Sequence, residues 1–368
     1  MWSRFKLYLN NFDWIMLAAV FLLVVFGLVE IYSVALGQGT VDLINFRKQL
    51  LFTGVGFLGL FVFSFINSYS LRSFSRYLYG LAVLILGGVL IFGVTIRGTK
   101  GWFSLAGFNL QPVEFVKIVF IIFLASYFSY LATRVKTARH FFVSLLSASI
   151  IMGLVLLQPD FGSALMLGSI WLVLILAAGF SKKYYLAVVL SGVIILALSW
   201  SFFFKDYQKE RIINFFNPGA NAQESGYNIS QAIIAVGSGG LTGKGVGFGS
   251  QSQLRFLPEA QTDFIFAVIA EELGFLGVVL ILGFYSVFFY RCYRILGKIN
   301  NDFGIYFIIG AAGLIFIQMF INIGMNLGIM PVVGLPLPFV SYGGSSLVSL
   351  LILVGIIENI IIKSKISY

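Results

Sequence analysis

Charge is what this sequence has least of. Only 10% of its 368 residues are Asp, Glu, Lys or Arg, against about 25% in an ordinary soluble domain. A chain so poor in charge is built for lipid. Cysteine occurs once, at Cys292, which excludes a disulfide scaffold. Histidine also occurs once, at His140, so no site can rest on a cluster of His or Cys metal ligands. The net charge of +10 comes from basic residues scattered between apolar runs. That scatter shows no nucleic-acid-binding pattern, and in a membrane protein it reads first as topology.

What the sequence has instead is 59% hydrophobic residues, in long runs. A transmembrane helix needs about 20 of them. Ten segments qualify: 14–36, 49–69, 77–96, 113–131, 141–157, 162–180, 184–203, 264–290, 304–326 and 343–362. The first is too long for a signal-peptide core, carries Glu30 and lacks a small-residue cleavage pattern, so it counts as a span. The expected fold is therefore an all-α polytopic membrane protein of about ten transmembrane helices. It forms a single domain over 1–368, with a large extracytoplasmic loop, about 204–263, between helices 7 and 8.

The basic residues orient it. With the N-terminus inside, the cytoplasmic segments hold Arg4 and Lys6, Arg72 and Arg76, Arg134, Lys136 and Arg139. They also hold Lys182 and Lys183, Arg291, Arg294 and Lys298, and Lys363 and Lys365, which places both termini in the cytoplasm. Proline breaks helical hydrogen bonding, so it collects where the backbone leaves the helix, and all seven prolines fall in loops or helix ends assigned to the outer side. Irregular backbone near membrane depth is tolerated only where protein buries it or it lines a wet cavity. The working face is thus expected to be extracytoplasmic.

Ionisable groups in or beside membrane spans are functional candidates by default. Glu114 and Lys117 share a helix face; either they neutralise each other, or Glu114 holds Lys117 for a phosphate. Asp160, in Gln158-Pro-Asp-Phe-Gly162, either caps the next helix or faces a ligand. The run Gly237 to Gly249 looks like a phosphate cradle, but Ser238 and Gly245 stand where a Walker motif needs Gly and Ser or Thr. It is expected to be a flexible apron, or else its amides and Lys244 touch a diphosphate. The strongest candidate is Asp263, where the long loop meets the eighth span among Pro258, Glu259, Gln261 and Thr262. Capping that span is its bland alternative. Glu271 and Glu272 lie two turns deeper, and at least one should pair with a neighbouring helix or face a cavity.

These residues resemble the SEDS family (shape, elongation, division and sporulation). The blocks that carry the resemblance are Gly98-Thr-Lys-Gly-Trp-Phe103, Gln111-Pro-Val-Glu-Phe-Val-Lys117, Gln158 to Gly162, Tyr207-Gln-Lys-Glu-Arg211 and the glycine run. Leu257 to Phe266, Glu271-Glu-Leu-Gly274 and Gly334 to Ser346 complete them. Gly249 to Leu254 and Met330 to Gly334 look more like the rod-shape branch, RodA, than the division branch, FtsW. Gln261 departs from the family pattern, which usually has histidine there.

The resemblance implies an inverting glycosyltransferase that polymerises lipid II onto a nascent glycan strand, with Asp263 matching the family's essential carboxylate. It implies a class B penicillin-binding protein, a transpeptidase, as partner within the bacterial cell membrane. The chemistry is consistent: a polyprenyl diphosphate leaves readily as an anion, so one base suffices where glycosidases use two carboxylates. Lys117, then Lys100 and Arg211, are expected to meet the diphosphate charge, and a divalent cation (Mg or Mn) could share that work through ligands the sequence does not reveal. Gln111, Glu259, Ser341 and Tyr342 in the same blocks, with Glu114, Asp160 and Lys244, complete the expected substrate-binding set. Two other readings stay open, a lipid II flippase and a non-catalytic scaffold for the transpeptidase.

Overall fold

The computed structural model describes residues 8–366 except 9, 38–42, 106–107, 133, 135–136, 203–224 and 255. Nine helices among these residues are long and apolar enough to cross a membrane. They are α1 (Trp14–Leu36), α2 (Ile44–Phe65), α3 (Ser68–Phe92), α4 (Pro112–Leu131), α5 (Ala138–Leu156) and α6 (Phe161–Ala178), followed by α10 (Ile265–Leu296), α11 (Asp302–Asn326) and α12 (Gly344–Ile366). A further long helix, α7 (Lys182–Phe202), occupies the expected seventh span. The protein is an integral membrane bundle. Its core is continuous through α1, α4, α6, α10, α11 and α12, whereas α2 and α3 turn much of their apolar surface outward. α12 lies along α2, α11 packs on α4 and α6, α1 on α10, and α3 on α4.

Because successive spans alternate in direction, the long connections collect at one end of the bundle, here the loop end. Two features of that end differ from expectation. The first is a small antiparallel meander, β1 (Val94–Ile96), β2 (Thr99–Leu105) and β3 (Phe108–Leu110), between α3 and α4. Its short strands follow a left-handed turn at Arg97 and Gly98 that apolar periodicity does not register.

The second concerns the expected long loop. It contains helix α8 (Ser225–Ser238), packed on α10 and α11, and the single turn α9 (Ser250–Gln253). Its glycine run is no loose apron. α10 breaks at Gly274 (φ 65°, ψ −161°), a conformation that favours glycine, and the run splints the break. The amides of Lys244 and Gly245 donate to the carbonyls of Glu271 and Glu272 at 3.0 and 2.9 Å, while those of Phe275 and Leu276 donate to Gly240 and Leu241 at 2.9 and 3.1 Å. A broken helix in a bilayer must find partners for its freed polar groups inside the protein, and these four bonds supply them.

The other end is closed by charge. Asp13 accepts a two-pronged bond from Arg291, at 2.8 Å from Nε and 2.6 Å from Nη2. The backbone N–H of Asp13 donates to the buried Glu358. The start of α1, the end of α10 and α12 are thereby pinned together.

Candidate active site

Asp263 sits half-buried at the loop end, one residue ahead of the N-cap position of α10. The segment carrying it is held by consecutive carbonyls. That of Gln261 accepts the N–H of Tyr342 at 2.8 Å. That of Thr262 accepts the hydroxyl of Ser341 at 2.6 Å. That of Asp263 accepts the side-chain amides of Asn322 and Asn326, both at 3.0 Å. Asn326 also receives the N–H of Ala267 at 3.1 Å, so the first turn of α10 is capped from α11. The capping role open to Asp263 on sequence is filled in part by a residue of another helix.

The loop from Leu327 to Gly343 closes against this segment. Ser341 accepts the N–H of Leu337 while donating to Thr262. Asn322 donates to Leu335 at 2.8 Å and Gln318 to Pro336 at 2.9 Å, and Tyr285 donates to Pro338. Gly334 packs against the carboxylate: a Cβ there would lie 3.6 Å from Asp263 Oδ2. Of the four described residues other than glycine with positive φ, Pro159 precedes Asp160 and three hold left-handed backbone near Asp263: Arg97 (φ 51°), Glu259 (φ 54°) and Phe339 (φ 65°). Such residues cost about 1–3 kcal/mol each and gather at functional sites.

The remaining sequence candidates fall into groups. Gln111 and Asp160 meet: Gln111 Nε2 donates to Asp160 Oδ2 at 3.0 Å, and the Gln111 N–H donates to Ser345 at 3.0 Å. Asp160 does cap its helix, receiving the N–H of Ser163 at 2.9 Å and its hydroxyl at 2.8 Å. Burial pushes the Asp160 carboxyl up, the Ser163 bonds and the Lys117 charge pull it down, and Glu114 raises it again. Lys117 and Glu114 form an ion pair of 2.7 Å, both buried. Lys117 keeps two further N–H donors beside this pair, but its burial means that a diphosphate could reach it only from inside the bundle. Glu259 binds Arg97 at 2.7 Å and accepts the Thr262 hydroxyl at 2.9 Å. The half-buried Lys100 joins β2 to the Asp160 turn through its N–H, which donates to the Gln158 carbonyl at 3.2 Å. Tyr342 is half-buried, and burial raises its phenol while Arg97 lowers it.

Lys244 belongs elsewhere. Its ammonium is 2.8 Å from Glu271 and 2.9 Å from Ser250, and its N–H and that of Gly245 are spent on the α10 break. The run's cradle-like amides serve the helix rather than a phosphate. Arg211 lies outside the described residues.

Residues that the sequence reading passed over complete the site. Arg97, 65% exposed at its side chain, brings a cation beside Glu259 and Tyr342. The signal was there, since it precedes the Gly98 to Phe103 block by one residue. Asn45 donates to Gln261 Oε1 at 2.8 Å, and Gln49 ties α2 to Ser341 and Gly343. Gln318, Asn322 and Asn326, spaced by four along an apolar span, are the amides that attention to charge alone overlooks. On the flank between α3, the meander and α4 lies an apolar groove of about 330 Å³, lined by Leu78, Leu81, Ile85, Phe103, Pro112 and Val119.

A multi-pass helical bundle that fixes one carboxylate under a rigid loop, with acids, amides and cations around it, defines a membrane protein with a polar site at one face. The family model of FtsW, RodA and SpoVE cell cycle proteins matches residues 13–366. The chain is 36% identical to stage V sporulation protein E of Bacillus subtilis, covering 95% of this chain and 96% of that one. It is 34% identical to the peptidoglycan glycosyltransferase MrdB of Escherichia coli, covering 95% and 93%. It superposes on Thermus thermophilus RodA with a TM-score of 0.72 at 29% identity, over 95% and 96% of the two chains. A chain of a peptidoglycan synthase complex that coordinates polymerization and crosslinking gives 0.80 at 28% identity, over 96% and 98%. The chain belongs to the FtsW, RodA and SpoVE family, the SEDS proteins.

Proposed function

We propose that this chain polymerises lipid II into peptidoglycan glycan strands, with Asp263 as the base. The observation that carries the reading is Asp263 itself: a half-buried carboxylate whose segment is clamped at three successive carbonyls, in a chain that matches peptidoglycan glycosyltransferases along almost its whole length. Asp263 takes the proton from the 4-hydroxyl of the acceptor GlcNAc as that oxygen attacks the donor's anomeric carbon. The new glycosidic bond forms with inversion and the polyprenyl diphosphate departs as an anion. Positive charge near the departing diphosphate lowers the barrier; Arg97 and Lys100 stand at this end of the bundle, and Arg211 is carried over from the sequence. Among the described residues no group of three or more His, Cys, Asp or Glu side chains gathers to hold a divalent cation, so no step is assigned to one. The apolar groove beside α4 suits a polyprenyl chain.

The distribution of basic residues supports an extracytoplasmic loop end with both termini in the cytoplasm. The likeness to a chain of a synthase complex supports a class B penicillin-binding protein as partner. Irregular backbone gathered at one end favours a fixed site over the alternating access a flippase needs. Identity to division, sporulation and rod-shape relatives is nearly equal, so the elongation role rests on the RodA-like blocks at Gly249 to Leu254 and Met330 to Gly334.

The test is polymerisation of purified lipid II by the reconstituted wild-type and Asp263→Asn proteins, each with its transpeptidase. General-base loss should slow polymerisation about 10²- to 10⁴-fold while the thermal unfolding midpoint holds. Near-normal glycan from Asp263→Asn would remove the carboxylate from the mechanism; transport of lipid II without polymer would favour a flippase.

A further inference from the structure

We propose that Asn322 and Asn326 are positioning residues for Asp263, acting through its backbone carbonyl; the proposal rests on Asp263 being the base. Gln318, Asn322 and Asn326 stand at intervals of four on α11 and are all fully buried, so they form a line of amides on one face of an apolar span. A buried amide is costly unless hydrogen-bonded, and each of these donates to a loop-end carbonyl, Asn326 also to the carbonyl of Asn322 at 2.8 Å. Gln318 reaches only Pro336. The two nearer the loop end converge on Asp263.

In the first turn of α10 the amides of Ala267 and Val268 donate to Phe264, while the Asp263 carbonyl takes the two Asn side chains as donors. On its other side the carbonyls of Gln261 and Thr262 are already fixed by Tyr342 and Ser341. The two Asn donors add to these bonds, so the main chain carrying the carboxylate beside Gly334 is tied at three consecutive carbonyls. A displacement of about 1 Å at a catalytic group can cost roughly 10² in rate, which sets the scale of what the two amides contribute.

Two substitutions test this role. Asn326→Asp keeps an oxygen for the Ala267 N–H and removes the donor to Asp263, together with the bond to the Asn322 carbonyl. Asn322→Leu removes the other donor with little change of volume, together with the bond to Leu335. Gln318→Leu, which frees only Pro336, controls for general loosening of α11. Each protein is reconstituted with its transpeptidase and assayed for kcat and KM on lipid II across pH, for thermal unfolding, and for amide hydrogen exchange over 262–268.

Asn322→Leu and Asn326→Asp should each lower the pH-independent kcat by about 10-fold or more, leave KM within about threefold, and speed exchange in 262–268 above that of Gln318→Leu. Because the plateau kcat is compared, any change that the carboxylate added in Asn326→Asp makes to the titration of Asp263 is separated from the loss of position. Variants that keep wild-type kcat, or whose kcat falls only in step with their unfolding midpoints as that of Gln318→Leu does, would overturn the positioning role. Unchanged exchange over 262–268 would do the same without reference to activity. Wild-type protein that makes no glycan would instead sink the proposed function, an outcome visible before any variant is compared.

Discussion

Replacing Gly239 by alanine tests whether the glycine run holds the broken helix. Gly239 has an ordinary backbone conformation, so only space is at issue. A Cβ at this position would lie 1.8 Å from the carbonyl oxygen of Ala270 and 2.8 Å from its carbon. Backbone cannot yield as a flexible side chain does, so the run must retreat from α10 by about 1 Å or more, enough to break well-formed hydrogen bonds. Four such bonds cross the gap, from Lys244 and Gly245 to Glu271 and Glu272 and from Phe275 and Leu276 to Gly240 and Leu241. At about 0.5–1.5 kcal/mol net for each bond, the loss should be about 2–6 kcal/mol. Gly237→Ala is the control. It lies in α8 with nothing within 4 Å of the added atom, and alanine there should be neutral or stabilise by up to about 1 kcal/mol. Unfolding of the purified protein in mixed micelles by a denaturing detergent measures both. If Gly239→Ala loses less than about 1 kcal/mol, or no more than the control, the run does not splint the helix.

Two further results are expected. Glu30 in α1 is fully buried, with no N–H or hydroxyl donor on its carboxylate oxygens and only the like-charged Glu272 carboxylate beside it to share a proton; Glu30→Leu should stabilise the protein by about 1–3 kcal/mol, the cost of a buried group so poorly satisfied, and a loss in the same unfolding assay would refute that. For Asp160, burial holds the folded carboxyl above its ordinary value of 3.8, so protonation favours the fold: this contribution is fully present below the unfolded value and is lost as pH rises through the raised folded one. Asp160→Asn, which can still cap α6, should therefore exceed wild type in stability at neutral pH and lose that advantage as pH falls toward 4, whereas a gap that widens in acid would mean the carboxylate is favoured in the folded state.

The spans were legible in the sequence because a bilayer imposes one strong rule on helix length and hydropathy. Asp160 and the pair Glu114–Lys117 were legible for a related reason: charges in an apolar run stand out, and their spacing along a helix says which can meet. What stayed hidden depends on tertiary contact. The glycine run carries the composition of a mobile loop, and nothing local reveals that a break about 30 residues later, at Gly274, would take up its amides. The meander is three short strands, below what alternation can detect. The amides of α11 are uncharged and scarcely lower the hydropathy of their span, so only the positions of the carbonyls they bind give them a role. Arg97 shows the same limit, since its partner Glu259 lies more than 160 residues away.

These hidden features share one physical cause, and it bears on how a membrane protein can hold the proposed base in place. In a soluble enzyme a loop carbonyl without a protein partner can turn to water, and the loop stays mobile at little cost. Near the bilayer that option is restricted, so polar groups left over by broken helices and irregular loops must be paired within the protein. Pairing them consumes buried amides, as on α11, or a folded-back segment, as at Gly274, and each such pair also fixes a position. The requirement for satisfied backbone thus ties down the segment of Asp263 as a by-product: the carbonyls of Gln261, Thr262 and Asp263 each have a partner from α11 or the 327–343 loop. The left-handed residues Arg97, Glu259 and Phe339 persist around it for the same reason, since a frame satisfied at so many points can hold strain that a looser loop would release.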